Sequence, residues 1–277
     1  IIFIKFAMFC CRLVMMKCLY DSLPTTYSRI SYLLDFKHNC IKLSGITNVA
    51  NKKAIVLFSG GLDSTTVLAR ALSENYDVTA LTIDYKQRHM YELEASRKIL
   101  VKNPDVKHII FKIDLAKIGG SALTDEKINV PSTESTGIPP TYVPARNIIF
   151  LSIACSYAEK LDINNIFIGV NSIDYSGYPD CRPEFIESFQ KMVNLGTKYG
   201  VEQKGIKIHT PLIKMSKSEI IKYGTALNVD YSMTVSCYSL NSIGQACGVC
   251  DACRFRKKGF LEANIDDPTI YKKNKKI

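Results

Sequence analysis

The chain has 277 residues, 47% of them hydrophobic, and a formal net charge of +10, so it is long enough for one α/β domain with an appendage and too short for two large domains. The charge lies at the two ends: residues 1–50 hold six Lys and Arg against two Asp and Glu, and residues 271–277 hold four Lys. The nearly neutral body between them argues against a broad polyanion-binding surface and favours local clamps for an anionic small molecule.

Residues 1–50 form a leader that differs from the rest of the chain. The apolar run Ile1–Met16 is interrupted by Lys5 and Arg12, which makes it too short and too charged for a membrane-spanning helix, and no small-residue cleavage site follows it. The first residue is Ile rather than Met. We expect a disordered leader or an over-extended start. An organelle transit peptide and a membrane-surface segment are the alternatives.

From Lys53 onward, strands alternate with helices. The apolar run Ala54–Phe58 predicts a strand buried on both faces, and apolar residues at helical spacing over Thr65–Ser73 predict the helix that follows. The alternation predicts a Rossmann-like α/β domain over 51–235, with a parallel sheet, right-handed crossovers and helices on both faces. The other predicted elements are strands at Val78–Asp84, Ile109–Ile113, Ile166–Val170 and Lys207–His209, helices at Tyr91–Leu100, Ile148–Lys160, Pro183–Leu195 and Lys217–Leu227, and a loop at Pro131–Pro144.

The first strand ends in Ser59-Gly60-Gly61 and turns directly into a helix, which is typical of a phosphate site. Glycines can adopt positive φ there, and the free N–H groups of a helix N-terminus point at a bound anion. The Gly-Lys-[Ser/Thr] ending of a Walker A loop is missing. The ordinary alternative is a Gly-rich turn capped by Ser64 or Asp63.

A second motif lies in the segment 236–260, which is poor in large apolar residues. Four cysteines at short spacing predict a closed tetrahedral site for structural Zn²⁺, and the metal would supply stability that the segment lacks. An iron–sulfur cluster and a redox dithiol are the alternatives. Ten Cys without a secretory signal fit a reducing compartment, so we expect a cytoplasmic protein. We expect a C-terminal helix and basic tail over 261–277. The four predicted metal ligands are Cys237, Cys247, Cys250 and Cys253.

The string Ser-Gly-Gly-x-Asp-Ser after an apolar strand resembles the signature of the ATP pyrophosphatase enzymes, the adenine nucleotide alpha hydrolase-like superfamily. Further segments between about residues 54 and 260 narrow the resemblance to the family of 7-cyano-7-deazaguanine synthases. The sequence departs from that family at Lys86 and Ala145, where Gly is usual or common, and a positive φ at position 86 would cost a Lys about 1 kcal/mol. The matching segments are Asp84–His89, Val143–Asn147, Gly169–Arg182, Thr210–Leu212 with Lys217 and Glu219, and the cysteine cluster.

The resemblance implies an ATP-dependent carbon–nitrogen ligase of queuosine biosynthesis, which converts 7-carboxy-7-deazaguanine and ammonia to 7-cyano-7-deazaguanine by adenylating a carboxylate and then an amide. It implies ATP, Mg²⁺ and Zn²⁺ as cofactors, small-molecule substrates and a homodimer, with neither nucleic acid nor membrane as a partner. It implies catalytic roles for Asp63, Arg146 and Lys217. The implied nucleotide contacts are Phe58, Ser59, Gly60, Gly61, Leu62, Asp63, Ser64, Thr65, Thr66, Val67 and Leu68, and the implied substrate contacts are Arg88, His89, Arg146, Asp174, Tyr178, Asp180 and Arg182.

Several of these side chains suit an anionic, guanine-like substrate. Arg88, Arg146 and Arg182 offer planar donor forks for a carboxylate or a phosphate, although each alone is compatible with an ordinary surface position. Asp174 and Asp180 can accept from the N–H groups of a guanine-like base, and a role in capping a helix or turn fits them equally well.

The remaining candidates leave more than one role open. His89 fits a general acid, a phosphate donor or a structural histidine. Lys217 opens a helix, where it can reach a phosphate or lie in solvent. Cys155 is expected in the core and Cys181 in the wall of a pocket.

Two other functions are compatible with these motifs. A tRNA-modifying thiolase or lysidine-type enzyme of the same superfamily should carry a basic RNA-binding surface, which the neutral body does not provide. A zinc-knuckle binding module with a relic ATP loop would use the basic run 254–258, but the intact Ser59, Asp63 and Ser64 argue against decay of the loop.

Overall fold

The computed structural model describes residues 52–133, 137–173, 177–202 and 204–272. They belong to one compact unit, residues 51–277. The expectation for the leader lies outside the described residues, as does the predicted substrate contact at Asp174. Among the described helices, none is long and apolar enough to cross a membrane.

Five parallel strands form one sheet in the order β3-β2-β1-β4-β5. The central strand β1 lies between β2 and β4, where Ile55 is in register with Thr79 and Ile166. Because β1 is covered on both faces, its side chains from Ala54 to Leu57 are buried, which explains the continuous apolar run. The strands are β1 Lys53–Leu57, β2 Asp77–Asp84, β3 Lys107–Lys112, β4 Asn165–Phe167 and β5 Lys207–His209.

Helices pack on both faces of the sheet, as predicted. Alternate residues of β1 point to opposite faces: Ile55 and Leu57 belong to one apolar cluster and Ala54 and Val56 to another. The first cluster includes residues of the helices 146–161 and 183–196. The second includes residues of the helices 62–73, 91–101, 217–226 and 251–263. The helices are α1 Leu62–Ser73, α2 Tyr91–Val101, α3 Arg146–Leu161, α4 Pro183–Gly196, α5 Lys198–Val201, α6 Lys217–Ala226 and α7 Asp251–Ala263, with short 3-10 helices at Leu115–Lys117, Pro179–Cys181 and Tyr231–Met233.

The structure corrects two of the predicted elements. Strand β4 ends at Phe167 instead of Val170, and Gly169 beyond it packs against the start of α1. Helix α7 begins inside the predicted zinc segment and ends at Ala263, so the helix expected over 261–277 lies earlier in the chain. Ala252, Phe260 and Ala263 are buried along it, a helical apolar stripe that the cysteine motif obscured.

Of the six described non-glycine residues in the left-handed region, two are neither Asn nor Asp. Lys86 has φ of 62° and Ala145 has φ of 54°, the positions at which the family usually or commonly has Gly. A left-handed backbone places Cβ too close to the following carbonyl, so each residue carries local strain of about 1 kcal/mol.

We expect Lys86→Gly and Ala145→Gly each to raise the free energy of unfolding by about 0.5–1 kcal/mol, measured by urea titration, because Gly removes that strain. Ala116→Gly is the matched control. This exposed residue of the Leu115–Lys117 turn lacks positive φ, so its replacement should lower stability. Equal effects at the strained and control positions would contradict the explanation.

Candidate active site

A cavity of about 230 Å³ opens at the carboxyl ends of β1, β2 and β4. The chain runs outward from β1 to β3 on one side of the sheet and continues with β4 and β5 on the other, so the order of strands reverses between β1 and β4. In open α/β sheets, ligands bind at such a reversal. The loops after β1 and β4 both line the cavity, through Ser59–Ser64 and Ile168–Asn171.

The loop after β1 is held in shape by its own hydroxyl groups. Ser59 and Ser64 hydroxyls lie 3.1 Å apart, the Gly61 N–H donates to Ser59 Oγ at 3.2 Å, and Thr65 Oγ1 donates to the Gly61 carbonyl at 2.8 Å. Helix α1 begins with no side chain capping its N-terminus. Its first N–H groups therefore remain available to an anion in the cavity, as the predicted phosphate site requires.

Close packing explains two glycines at this loop, Gly60 within it and Gly169 in the segment after β4 that packs against it. A Cβ on Gly60 would lie 2.6 Å from Ser96 N and 2.8 Å from Glu92 O, both in helix α2, and Gly60 also has φ of 83°. A Cβ on Gly169 would lie 3.2 Å from Ser64 N, at the first turn of α1. The loop is thus confined between α2 and the end of β4.

Asp63 and Lys217 form a buried ion pair. Lys217 Nζ lies 2.7 Å and 3.0 Å from the two carboxylate oxygens of Asp63, and the Lys217 side chain is only 7% exposed. Asp63 lines the cavity, whereas Lys217 lies behind it at the start of α6, where Ser216 and Glu219 form a capping box. The structure thus gives Lys217 a contact with Asp63, and its reach to a phosphate stays a prediction.

Arg146 and Glu92 place opposite charges in the cavity. Burial alone would lower the pKa of Arg146, but the hydroxyls of Tyr85, Tyr178 and Tyr238 raise it above its ordinary value, so the guanidinium stays charged. Burial raises the pKa of Glu92 from 4.5 to about 7, and the nearby Arg146 only partly opposes the shift.

Glu92 is a cavity residue that the sequence patterns do not predict. It lies in the first turn of α2 next to the acidic Glu94, and acidic residues are common in first turns because they complement the helix dipole. In the sequence, no local feature distinguishes Glu92, which lines the cavity, from Glu94, which is exposed to solvent. The order of the strands puts Glu92 in the site.

Arg88 and His89 line the cavity but are held by backbone carbonyls. Arg88 Nη1 donates to the carbonyls of Ala122 and Ile128 at 3.1 Å and 3.2 Å, which fixes the loop after β3. His89 Nε2 lies 2.9 Å from the Cys237 carbonyl, and burial lowers the pKa of the imidazole. These contacts give both residues a structural role, and contact with substrate stays a prediction.

Of the four predicted residues between positions 178 and 182, two line the cavity. Tyr178 forms part of its wall, as does Cys181, in agreement with the prediction for that cysteine. Asp180 does not line the cavity. Its Oδ2 accepts from the backbone N–H of Asn147 at 3.0 Å, in the first turn of α3, so it takes the alternative capping role. Arg182 is exposed, outside the cavity lining, and donates to a carbonyl of the preceding turn.

The four cysteines predicted to bind metal form one buried cluster, with their sulfur atoms all within 4.8 Å of one another. A tetrahedral site with Zn–S bonds of about 2.3 Å places its sulfurs about 3.8 Å apart, so the cluster is close to the required size. Backbone N–H groups of Cys247, Val249 and Cys250 point at cluster sulfurs at 3.2–3.5 Å, as ligating thiolates require. The cluster can hold a metal ion. Cys155, by contrast, lies in the apolar core as expected.

Residues 231–237, which we call the strap, join the cysteine cluster to the phosphate loop. The strap touches the loop where the Val235 N–H donates to the Gly60 carbonyl at 3.1 Å. Arg256 of α7 fixes the strap from behind, with hydrogen bonds of 2.8 Å to Thr234 Oγ1 and 2.9 Å to the Tyr231 carbonyl. The cluster is therefore positioned to support the shape of the phosphate loop.

The chain is similar in sequence to proteins of one family. A sequence profile described as "Queuosine biosynthesis protein QueC" matches residues 53–264. The 7-cyano-7-deazaguanine synthase of Saccharophagus degradans is 57% identical over 223 residues, 80% of this chain and 99% of that protein. That of Methylobacillus flagellatus is 56% identical over 221 residues, 80% of this chain and 96% of that protein. Among solved structures, a 4-thiouridine synthetase–RNA complex with bound ATP covers 77% of this chain and 50% of that chain, at 17% identity and a TM-score of 0.47, a likeness too weak to carry function.

The raised pKa of Glu92 predicts a pH-dependent stability. The folded protein holds the Glu92 proton up to about pH 7, whereas the unfolded chain releases it near 4.5, so the stabilisation is complete at low pH and is lost as pH rises through 7. Relative to Glu92→Gln, the free energy of unfolding of the wild type should fall by up to about 3 kcal/mol between about pH 5 and about pH 8.

Urea titrations at the two pH values measure this difference. Glu94→Gln, on the exposed side of the same helix, is the matched control and should track the wild type at both. A pH-independent difference between Glu92→Gln and the wild type would contradict the prediction. The other ionisable groups that line the cavity are unchanged in both variants: Asp63, Tyr85, Arg88, His89, Arg146, Tyr178, Cys181 and Tyr238.

Proposed function

The chain belongs to the QueC family of queuosine biosynthesis proteins, and we infer that it has the activity its curated relatives are named for, ATP-dependent synthesis of 7-cyano-7-deazaguanine. The observation that carries the inference is the identity of 57% across 99% of a named synthase. The structure supports it independently, since the phosphate loop opens into a cavity lined by both a charged guanidinium and a carboxyl group.

The proposed substrates are 7-carboxy-7-deazaguanine, ammonia and two molecules of ATP. The carboxylate oxygen attacks the α-phosphorus, and the bond to pyrophosphate breaks. Ammonia then attacks the acyl carbon, AMP leaves and a proton is released, which gives the amide. The amide oxygen attacks a second ATP, pyrophosphate leaves again, and loss of AMP and two protons leaves the nitrile.

The protein contributes placement and neutralisation of charge to both adenylations. We assign the triphosphate to the residues 58–68, with the N–H groups of the first turn of α1 as donors. Arg146 supplies a permanent cation in the cavity for the charge that develops on the reacting oxygens. Asp63 is held towards the cavity by Lys217, and we assign Lys217 this positioning role.

We also propose that Mg²⁺ and Zn²⁺ are bound. The Asp63 carboxylate offers the hard oxygen ligand that Mg²⁺ prefers, and the ion would neutralise phosphate charge there. Zn²⁺ fits the buried thiol cluster, where four protein ligands leave no position for a reacting water. Zinc would therefore brace the strap without taking part in the chemistry.

The basic run beside the cysteine cluster gives little support to nucleic acid binding. Arg254 pairs with Asp251, Arg256 is 3% exposed and pairs with Asp267, and Lys257 Nζ donates to the Gly248 carbonyl at 3.0 Å. Of this run only Lys257 and Lys258 are exposed, and two lysines make a small surface for a phosphate backbone. We propose that the protein acts on small molecules, without a nucleic acid partner, in the cytoplasm and as a homodimer.

Product analysis tests the proposal. Purified protein with Mg²⁺, ATP, ammonia and the carboxylate base should release two AMP per nitrile formed, measured by chromatography. Asp63→Asn should reduce turnover at least about 100-fold, because it removes the anionic ligand proposed for the Mg²⁺ that neutralises phosphate charge. Stimulation of AMP release by tRNA, without conversion of the base, would favour the tRNA-modifying alternative instead.

Metal analysis tests the zinc site. The protein should contain one zinc per chain, and Cys250→Ser should lose it, unfold at a lower urea concentration and raise the KM for ATP, because the strap that contacts Gly60 would no longer be braced. Cys155→Ala removes a buried thiol far from the cluster and should keep the zinc. Stoichiometric zinc in Cys250→Ser would contradict the assignment.

A further inference from the structure

Glu92 is a cavity carboxylate with no partner of its own. It lines the cavity from the first turn of α2, and no hydrogen bond or ion pair holds its carboxylate within the part of the chain that the structure describes. Among the described residues, Arg146 is the charged side chain that lowers its pKa, against the larger effect of burial. Glu92 is half-buried in the cavity wall, and a carboxylate that loses its remaining water contacts to a ligand needs a donor on that ligand.

The other nearby carboxylates are already engaged. Both oxygens of Asp63 are within hydrogen-bonding distance of Lys217 Nζ, and Asp180 accepts from Asn147 outside the cavity. Among the described residues that line the cavity, Glu92 is therefore the acidic side chain whose two oxygens remain open to a ligand.

The chemistry of the proposed substrate matches what Glu92 offers. A guanine-type base presents a ring N–H and an adjacent amino group on one edge, and a carboxylate can accept both in a paired arrangement. Aromatic side chains of Tyr85, Phe150 and Tyr238 line the same cavity and suit a flat heterocycle. Burial raises the pKa of Glu92 and Arg146 only partly opposes that shift, and N–H donors of a bound base would favour the ionised, accepting form of the carboxylate.

We propose that Glu92 is the specificity-determining residue for the base, and that its carboxylate accepts hydrogen bonds from the ring N–H and the 2-amino group of the deazaguanine. The inference rests on the proposed function, because it assumes a guanine-type substrate. It distinguishes that substrate from purine-like acids without the amino group, which would leave a buried carboxylate oxygen unpaired.

The test compares two substrates on the full-length protein: 7-carboxy-7-deazaguanine and its analogue without the 2-amino group. We measure kcat/KM with ATP and ammonia, and calorimetric binding of each base without ATP. The wild type should prefer the amino substrate by about 10- to 100-fold in both measurements, the range for a charge-assisted hydrogen bond. Glu92→Gln should reduce the preference to within about threefold, and Glu94→Gln should preserve it.

The possible results separate the two hypotheses. Conversion of neither base by the wild type refutes the proposed function. Conversion of both bases by the wild type with equal kcat/KM overturns the role of Glu92 alone, and this result needs no variant. If Glu92→Gln lowers kcat/KM equally for both bases and leaves their binding unchanged, Glu92 does not recognise the base. That result assigns it to a step shared by both bases, such as the handling of ammonia or Mg²⁺.

Discussion

The site depends on one steric constraint, the close approach of the loop after β1 to the first turns of helix α2. Gly60 lies so near Ser96 N and Glu92 O that no side chain fits there. This contact fixes the path of the loop and aims the N-terminus of α1 into the cavity at the reversal of strand order. The same contact brings the first turn of α2, and with it Glu92, beside the phosphate site.

Support for that loop comes from the far end of the chain. The strap contacts the Gly60 carbonyl through Val235, and it is held by Arg256 on one side and by the cysteine cluster, through Cys237, on the other. The segment around the cysteines has few large apolar residues, so a metal would provide the rigidity that packing does not. A structural metal centre can thereby affect nucleotide binding without touching the nucleotide.

The charged side chains at the site are of two kinds: those that pair with each other and those that remain open to a ligand. The Asp63–Lys217 pair is satisfied and buried at the loop, whereas Arg146 and Glu92 face the cavity without a direct ion pair among the described residues. A satisfied pair keeps its geometry, while unpaired groups remain open to a ligand that carries complementary charges and donors. The Asp63–Lys217 pair therefore suits the positioning of Asp63, and Arg146 and Glu92 suit the recognition of a ligand.

The sequence by itself determined the parallel α/β fold, the phosphate loop and the four-cysteine motif, because each depends on local periodicity or on residues close together in the chain. It also identified Lys86 and Ala145, which do adopt positive φ. Only the tertiary structure decided that Lys217 pairs with Asp63, 154 residues away, that Asp180 caps α3, and that Glu92 lines the cavity. These contacts are set by the order of strands and the packing of helices between them, and no local pattern encodes which distant side chains that order brings together.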